Sequence, residues 1–390
     1  MSDNDSDPFI IFGSPDIRDA EIDEVMATLK SGWLGTGPRV ARFETDFAAY
    51  KNVPPDCVAA LNSCTAALHV SMVAAGLESG DEVLTTAMTF CATANAIIHS
   101  GATPVIVDID PVSLNIDVSQ IEAKLTPRTR AIVPVHFAGR PCDMDALMTI
   151  AQKHDLIVIE DCAHAIEAKW KGQQAGTFGD FGCFSFYVTK NVVTGEGGMV
   201  IAKTSENIDR IKILALHGMS KDAWHRFGDE GYKHYQVVEA GFKYNMMDLQ
   251  AAIGIHQLER VEKNWLRRRE IWEMYQEAFS SLPLEVPAEV HNDMRHAYHL
   301  YTLAIDEKNC GMSRDNFIVG MGAASIGVGV HYSSLAEHPY YQERFGWRSN
   351  DYPVAQRHGQ QTVSLPLSSS LTDDVVFRVI DSVTNTIGKN

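Results

Sequence analysis

FGCFSFYVTKNVVTGEGGMV, residues 181–200, carries a single lysine, Lys190, between two apolar runs. Phe181, Phe184, Phe186, Tyr187 and Val188 come before it. Gly195, Gly197 and Gly198 form a glycine-rich turn, and Met199–Ala202 resumes the apolar pattern. The expected structure is strand, tight turn and strand, with the lysine at the end of the first strand. A solvated lysine needs no such frame. A lysine that must attack a carbonyl does, because only the neutral amine is nucleophilic and burial lowers an ammonium pKa. A lone lysine in a hairpin is ordinarily a surface residue, so the reading depends on its company.

That company lies upstream in LIVIEDCAHA, residues 156–165. Leu156–Ile159 has the composition of a buried strand, and Glu160, Asp161 and His164 follow it. Open α/β sheets do their chemistry at the carboxyl ends of strands. Pyridoxal phosphate (PLP) needs a Schiff-base lysine and a carboxylate that keeps its ring nitrogen protonated. Asp161 and Lys190 meet that description. Alone, Asp161 also suits a helix cap and His164 a core histidine.

Four linked motifs then carry a family resemblance. The two stretches above, NSCTAALH at 62–69 and GFKYNMMDLQAAIG at 241–254 resemble the DegT/StrS group of sugar aminotransferases, fold-type I PLP enzymes. The match runs in order from WLGTGP at 33–38 to SLPL at 364–367, and the Ser185-to-Lys190 spacing is its most telling part. The resemblance implies an α/β fold, with a large PLP domain over 9–282 and a smaller C-terminal α+β domain over 283–390, after a disordered stretch at 1–8. It also implies site residues. Lys190 is the Schiff-base and proton-transfer lysine, and Asp161 is the pyridinium partner. Cys64, Thr65 and Ser185 contact the phosphate, Phe90 stacks on the ring, and His164 flanks the cofactor near its 3′-oxygen. Asn245 reaches the partner subunit's phosphate, and His331 faces the sugar. Many relatives carry glycine at Cys64, glutamine at His164 and histidine at Tyr187.

Composition bounds the alternatives. The chain has 390 residues, 45% hydrophobic and 21% charged, with 33 basic against 50 acidic residues and a net charge of −17. That is an ordinary globular balance, and its sign opposes non-specific nucleic-acid or anionic-membrane binding. Seven cysteines, at 57, 64, 91, 142, 162, 183 and 310, show no zinc spacing and suggest reduced thiols in the cytoplasm. No metal is expected. MSDNDSDPF is neither a secretory nor a transit signal, and no apolar run approaches membrane-spanning length.

From Val58 onward, strands alternate with helices: strands at 58–61, 82–86, 104–108 and 131–136, and helices at 66–76, 92–100, 118–125 and 143–154. This order predicts a mostly parallel, doubly wound sheet. GTFGDFG at 176–182 has the wrong spacing for a dinucleotide fingerprint. A long helix is expected from Met247 to about Leu282, with Arg267, Arg268 and Arg269 on a solvated face. Strands are expected at 296–305 and 327–332, and a substrate loop at 224–238.

Through the resemblance, the implied function is transamination of a nucleotide-linked keto-sugar, a 4-keto-6-deoxyhexose. L-Glutamate is the donor, 2-oxoglutarate the co-product and pyridoxamine phosphate (PMP) the intermediate form, in a homodimer with shared sites. Some relatives are PLP- or PMP-dependent sugar dehydratases, often with histidine in place of the lysine, and others are non-catalytic regulators. Retention of Lys190, Asp161 and Ser185 argues against both.

Overall fold

The computed structural model describes residues 8–220 and 235–388. Most of the expected substrate loop and the first seven residues lie outside the described residues. Short apolar runs bounded by turns become seven strands of one sheet: β1 (Val58–Leu61), β2 (Glu82–Thr86), β3 (Thr103–Val107), β4 (Thr129–Val133), β5 (Ile157–Asp161), β6 (Phe181–Ser185) and β7 (Gly198–Ala202). Their order is β1-β7-β6-β5-β4-β2-β3. The β3/β2, β2/β4, β4/β5 and β5/β6 pairs are parallel, and β7 runs antiparallel between β1 and β6. Continuous burial along β1, β2 and β7 fits a sheet covered on both faces.

Helices α1 (Asp19–Ser31), α2 (Pro38–Lys51), α3 (Cys64–Ala74), α4 (Cys91–His99), α5 (Met144–Lys153) and α6 (Ser205–Ala215) accompany the sheet. α3 is apolar on nearly every side and buries Ala67, Leu68, Val70 and Met72 against Val200 and Phe181. The expected helix at 118–125 is instead two 3₁₀ turns, Val118–Gln120 and Glu122–Lys124. Asp117 caps the first by accepting from Ser119 N–H, and Ile121 is fully buried between the two.

The long helix is divided into α7 (Asp248–Glu259) and α8 (Val261–Phe279). The break is Arg260, at φ −109° and ψ 9°, whose guanidinium is held by the Asp16 carbonyl and paired with Glu21. The arginine triplet is likewise divided. Arg267 and Arg269 pair at the surface with Asp373 and Glu273, whereas Arg268, 3% exposed, turns inward to Glu167. Successive helical residues point about 100° apart, so Arg268 can turn to the core while its two neighbours stay at the surface.

A second core joins α8 to the C-terminal elements. Strands β8 (Tyr301–Ala304) and β9 (Thr362–Leu365) pair antiparallel, and helices α9 (Arg314–Ala323) and α10 (Asp373–Ile387) pack with them. Ile271, Tyr275 and Phe279 of α8 meet Tyr301, Phe317, Val363 and Val379 there. Each such side chain contributes roughly 2–3 kcal/mol relative to exposure. The strand expected at 296–305 is thus shortened to β8, since Ala297, His299 and Leu300 donate instead to the Ala138 and Gly139 carbonyls. Residues 327–332 pair only through one bridge, Gly329 to Ser364, because the rest of the segment turns toward the sheet's carboxyl edge. Among the described residues no helix is long and apolar enough to cross a membrane.

One long-range contact ties the start of α2 to the start of α7. Asp248 is fully buried, and its carboxylate accepts from Gly37, Arg39 and Val40 N–H at 2.8, 3.2 and 3.0 Å, capping α2 from 208 or more residues away. Asp248→Ala leaves those donors unmet. It should lower stability by about 2 kcal/mol, read as a shifted denaturant midpoint. Ser313→Ala, which removes an ordinary local cap of α9, should cost about 1 kcal/mol or less. Equal midpoints for the two variants would contradict the long-range cap.

Candidate active site

Strands β1, β2, β5 and β6 deliver their carboxyl ends to one edge of the sheet, and antiparallel β7 starts from the same edge. The cavity there has a volume of about 490 Å³. Cys64, Thr65, Phe90, Asp161, His164, Ser185, Lys190 and His331 all line it. Asn245 does not line this cavity in its own chain. Its side chain bonds Thr36 Oγ1 at 2.7 Å and Lys243 Nζ at 2.5 Å.

β6 ends at Ser185, five residues before Lys190, so the lysine stands in a broad connection rather than at the strand end. Its backbone N–H bonds the Tyr187 carbonyl at 2.8 Å. The amine lies within the cavity, and burial lowers its pKa to about 8 against the opposing pull of Cys64 and Asp161. Asp161 is the last residue of β5. Its Oδ1 accepts from Ala163 N–H at 3.1 Å and its Oδ2 from the Thr93 hydroxyl at 2.8 Å. Burial still pushes this carboxyl above its ordinary value, opposed by those two donors and by Lys190. A desolvated carboxylate so placed suits a protonated heterocyclic nitrogen.

The first turn of α3 suits an anion. Ser63 caps the helix by accepting from Ala66 N–H at 3.1 Å, and the Cys64 and Thr65 N–H groups have no intrahelical acceptor. Gly198 opens this corner, since a Cβ there would sit 2.4 Å from the Ser63 carbonyl carbon. Position 64 can offer an anion its backbone N–H, while its thiol is buried and burial raises its pKa. The Ser185 hydroxyl adds a side-chain donor at the cavity wall. Lysine, carboxylate and anion cradle together fit PLP through its aldehyde, ring nitrogen and phosphate.

Phe90 is 57% exposed, with its ring at the cavity and 6.0 Å from Tyr332. His164 is buried. Its Nδ1 accepts from Ala138 N–H at 3.2 Å, so the proton sits on Nε2, 3.2 Å from the Tyr332 hydroxyl. Burial first, then Lys190, His299 and His331, hold His164 well below its ordinary pKa, so it is neutral. His331 stacks on Phe12 at 5.4 Å and bonds Ser364 Oγ at 2.8 Å, and burial lowers its pKa to about 4.

Thr93 and Tyr332 also line the cavity and are not among the site residues expected from the sequence. Thr93 follows Phe90 by three residues, one helical turn, and that spacing could have revealed it. Tyr332 lies in the segment expected as a strand at 327–332, where nothing local marks it as a site residue. Burial raises its phenol pKa, so it keeps its proton. Its hydroxyl accepts from His164 Nε2–H, and the residue lines the cavity.

His136, Glu160 and Cys162 also cluster, with ligand atoms within 4.8 Å of one another. Glu160 already accepts from His136 at 3.0 Å and from Gly176, Phe178 and Gly179 N–H at 2.8, 2.7 and 2.9 Å. Buried Lys51, whose pKa burial lowers to about 8 against the opposing pull of Cys162 and Glu160, lies in the same region. The group is a satisfied charge network beneath the site.

Comparisons with known proteins agree with this geometry. The model of the DegT/DnrJ/EryC1/StrS aminotransferase family matches residues 15–384. The chain is 49% identical over 376 residues to the spore coat polysaccharide biosynthesis protein SpsC of Bacillus subtilis, covering 96% of each chain. A Streptococcus pneumoniae protein assigned as a sugar aminotransferase, solved in its PLP form, superposes with a TM-score of 0.90 at 32% identity, covering 98% of this chain and 99% of that one. PseC of Helicobacter pylori, an aminotransferase involved in pseudoaminic acid biosynthesis, gives 0.90 at 26% identity, covering 98% and 100%.

The buried amine makes a direct prediction. Raising pH converts ammonium to amine, so a lowered pKa brings reactivity to lower pH. In the cofactor-free protein, acylation of Lys190, followed by peptide mass spectrometry, should reach half its limiting rate at pH about 8. An ordinary lysine would do so at about 10.4, and that value here would contradict the desolvated environment.

Proposed function

The chain belongs to the PLP-dependent DegT/DnrJ/EryC1/StrS aminotransferase family, and from that premise we propose that it transaminates a nucleotide-linked keto-sugar with L-glutamate as donor. The acceptor we favour is a 4-keto-6-deoxyhexose. One observation carries the reading: Lys190, Asp161 and the open first turn of α3 converge in one cavity of about 490 Å³, a size suited to a cofactor and a small substrate. SpsC and PseC, named for polysaccharide and sugar biosynthesis, support the sugar class.

Bound PLP supplies an electron sink that takes an amino group from a donor and passes it to a carbonyl through its PMP form. This chain's residues do the rest. Lys190 Nζ, with its pKa near 8, holds the cofactor and moves the proton at the donor's α-carbon. Asp161 keeps the ring nitrogen protonated. The Cys64 and Thr65 N–H groups and the Ser185 hydroxyl hold the phosphate, and Phe90 covers the ring. Neutral His164 directs the Tyr332 hydroxyl, and His331 offers a neutral imidazole to the sugar.

A homodimer completes the proposal. Ile22, Met26 and Leu29 on one face of α1, with Trp33 and Leu34, are all more than 40% exposed, an apolar patch that suits an interface. Asn245, outside its own cavity and bonded to Thr36 of the 33–38 loop, is the residue we assign to the partner's phosphate. The free cysteines support a reducing, cytoplasmic setting.

Two measurements test this. Protein loaded with PMP should convert a nucleotide-linked 4-keto-6-deoxyhexose to its amino sugar, read by mass spectrometry. Loss of water without gain of nitrogen would point to dehydration instead. Mixed refolding of inactive Lys190→Ala and Asn245→Ala chains should restore activity, because one site of the mixed dimer is then intact. No recovery in a verified mixed dimer would remove Asn245 from the partner's site.

A further inference from the structure

The residue after Lys190 is fully engaged. Asn191 Nδ2 donates to Glu167 Oε2 at 2.8 Å and to the Ala297 carbonyl at 3.1 Å, and its Oδ1 lies 2.9 Å from His299 Nδ1. An amide oxygen only accepts, so His299 carries a proton on Nδ1. Glu167 is completely buried, and its other oxygen pairs with buried Arg268 of α8. The His299 ring packs on His164 with centroids 4.4 Å apart, and His164 lines the cavity.

Three remote parts of the chain therefore meet at residue 191: the segment after β5, the helix α8, and the stretch that leads into β8. A lysine side chain has many rotamers, so aiming its amine requires a fixed backbone beneath it. Lys190 stands in a connection between strands, where its own N–H makes one short-range bond to Tyr187. The Asn191 amide supplies the long-range anchor. A buried ion pair is weak evidence for a stability role, which leaves positioning as the use that fits this placement.

We propose that Asn191, Glu167 and His299 are positioning residues that fix the backbone of Lys190, with Arg268 holding Glu167 in place. The inference rests on Lys190 being the residue that bonds PLP. It predicts a split between two cofactor forms. PLP must meet the lysine amine, whereas PMP binds without a covalent bond. A residue that aims the amine affects only the first, and a residue that merely supports the fold affects both.

The test uses cofactor-free wild type, Asn191→Ala, His299→Ala and His299→Asn. Near-visible absorption follows covalent attachment of PLP, and quenching of tryptophan fluorescence gives PMP affinity. Asn191→Ala and His299→Ala should attach PLP about tenfold to a hundredfold more slowly, with PMP affinity within about threefold of wild type. His299→Asn, whose amide N–H stands where Nδ1–H stood, should recover most of the rate. Attachment at the wild-type rate in Asn191→Ala, or PMP affinity falling in step with attachment, would overturn the proposal. Attachment that persists in Lys190→Ala would instead overturn the assignment of the lysine on which it rests.

Discussion

A lysine that the proposed chemistry needs neutral, beside a carboxyl that it needs charged, is the constraint that organises this molecule. The two demands conflict, since burial favours the uncharged form of both groups. Lys190 yields to burial, its pKa falling to about 8. Burial pushes Asp161 up as well, opposed by the Ala163 N–H and the Thr93 hydroxyl. One cavity thereby holds both groups, as the proposed chemistry requires. The parallel sheet makes this possible because the two groups arrive on β5 and on the β6–β7 connection, at one edge.

The second layer is polar and buried. Beneath the cavity, Glu160 joins His136 to three backbone donors, and Glu167 joins Asn191 to Arg268. Each carboxylate is satisfied by groups that are distant in sequence. These networks tie the segment after β5 to α8 and to the stretch before β8, so the C-terminal core is connected to the lysine's immediate neighbour. Such ties suit a site whose parts come from strand ends and loops, which have no regular ladder of their own to hold them.

Much of this was legible in the sequence, for physical reasons. Strands β1 and β2 coincide with their expected limits because short apolar runs bounded by turn residues have few alternatives. Lys190 and Asp161 stood out because a lysine among aromatics and an acid at the end of an apolar strand are costly placements without a use. The rest was hidden. Nothing in HQLERVEKN signals the helix break at Arg260, since the cause is a tertiary contact with Asp16 and Glu21. Charge alone suggested a solvated arginine face, whereas Arg268 has a buried partner 101 residues away. Asp248 as the cap of α2 and Tyr332 as the partner of His164 are likewise long-range pairings, invisible to local pattern.

The most direct test is the near-visible absorption spectrum of PLP-loaded protein during a single exposure to L-glutamate. The account predicts that the band of lysine-bound PLP falls as the PMP band rises, with one 2-oxoglutarate released per site, and that Lys190→Ala shows neither change. A protein that takes up no PLP, or whose bound PLP ignores every amino donor while Lys190 is intact, would contradict it.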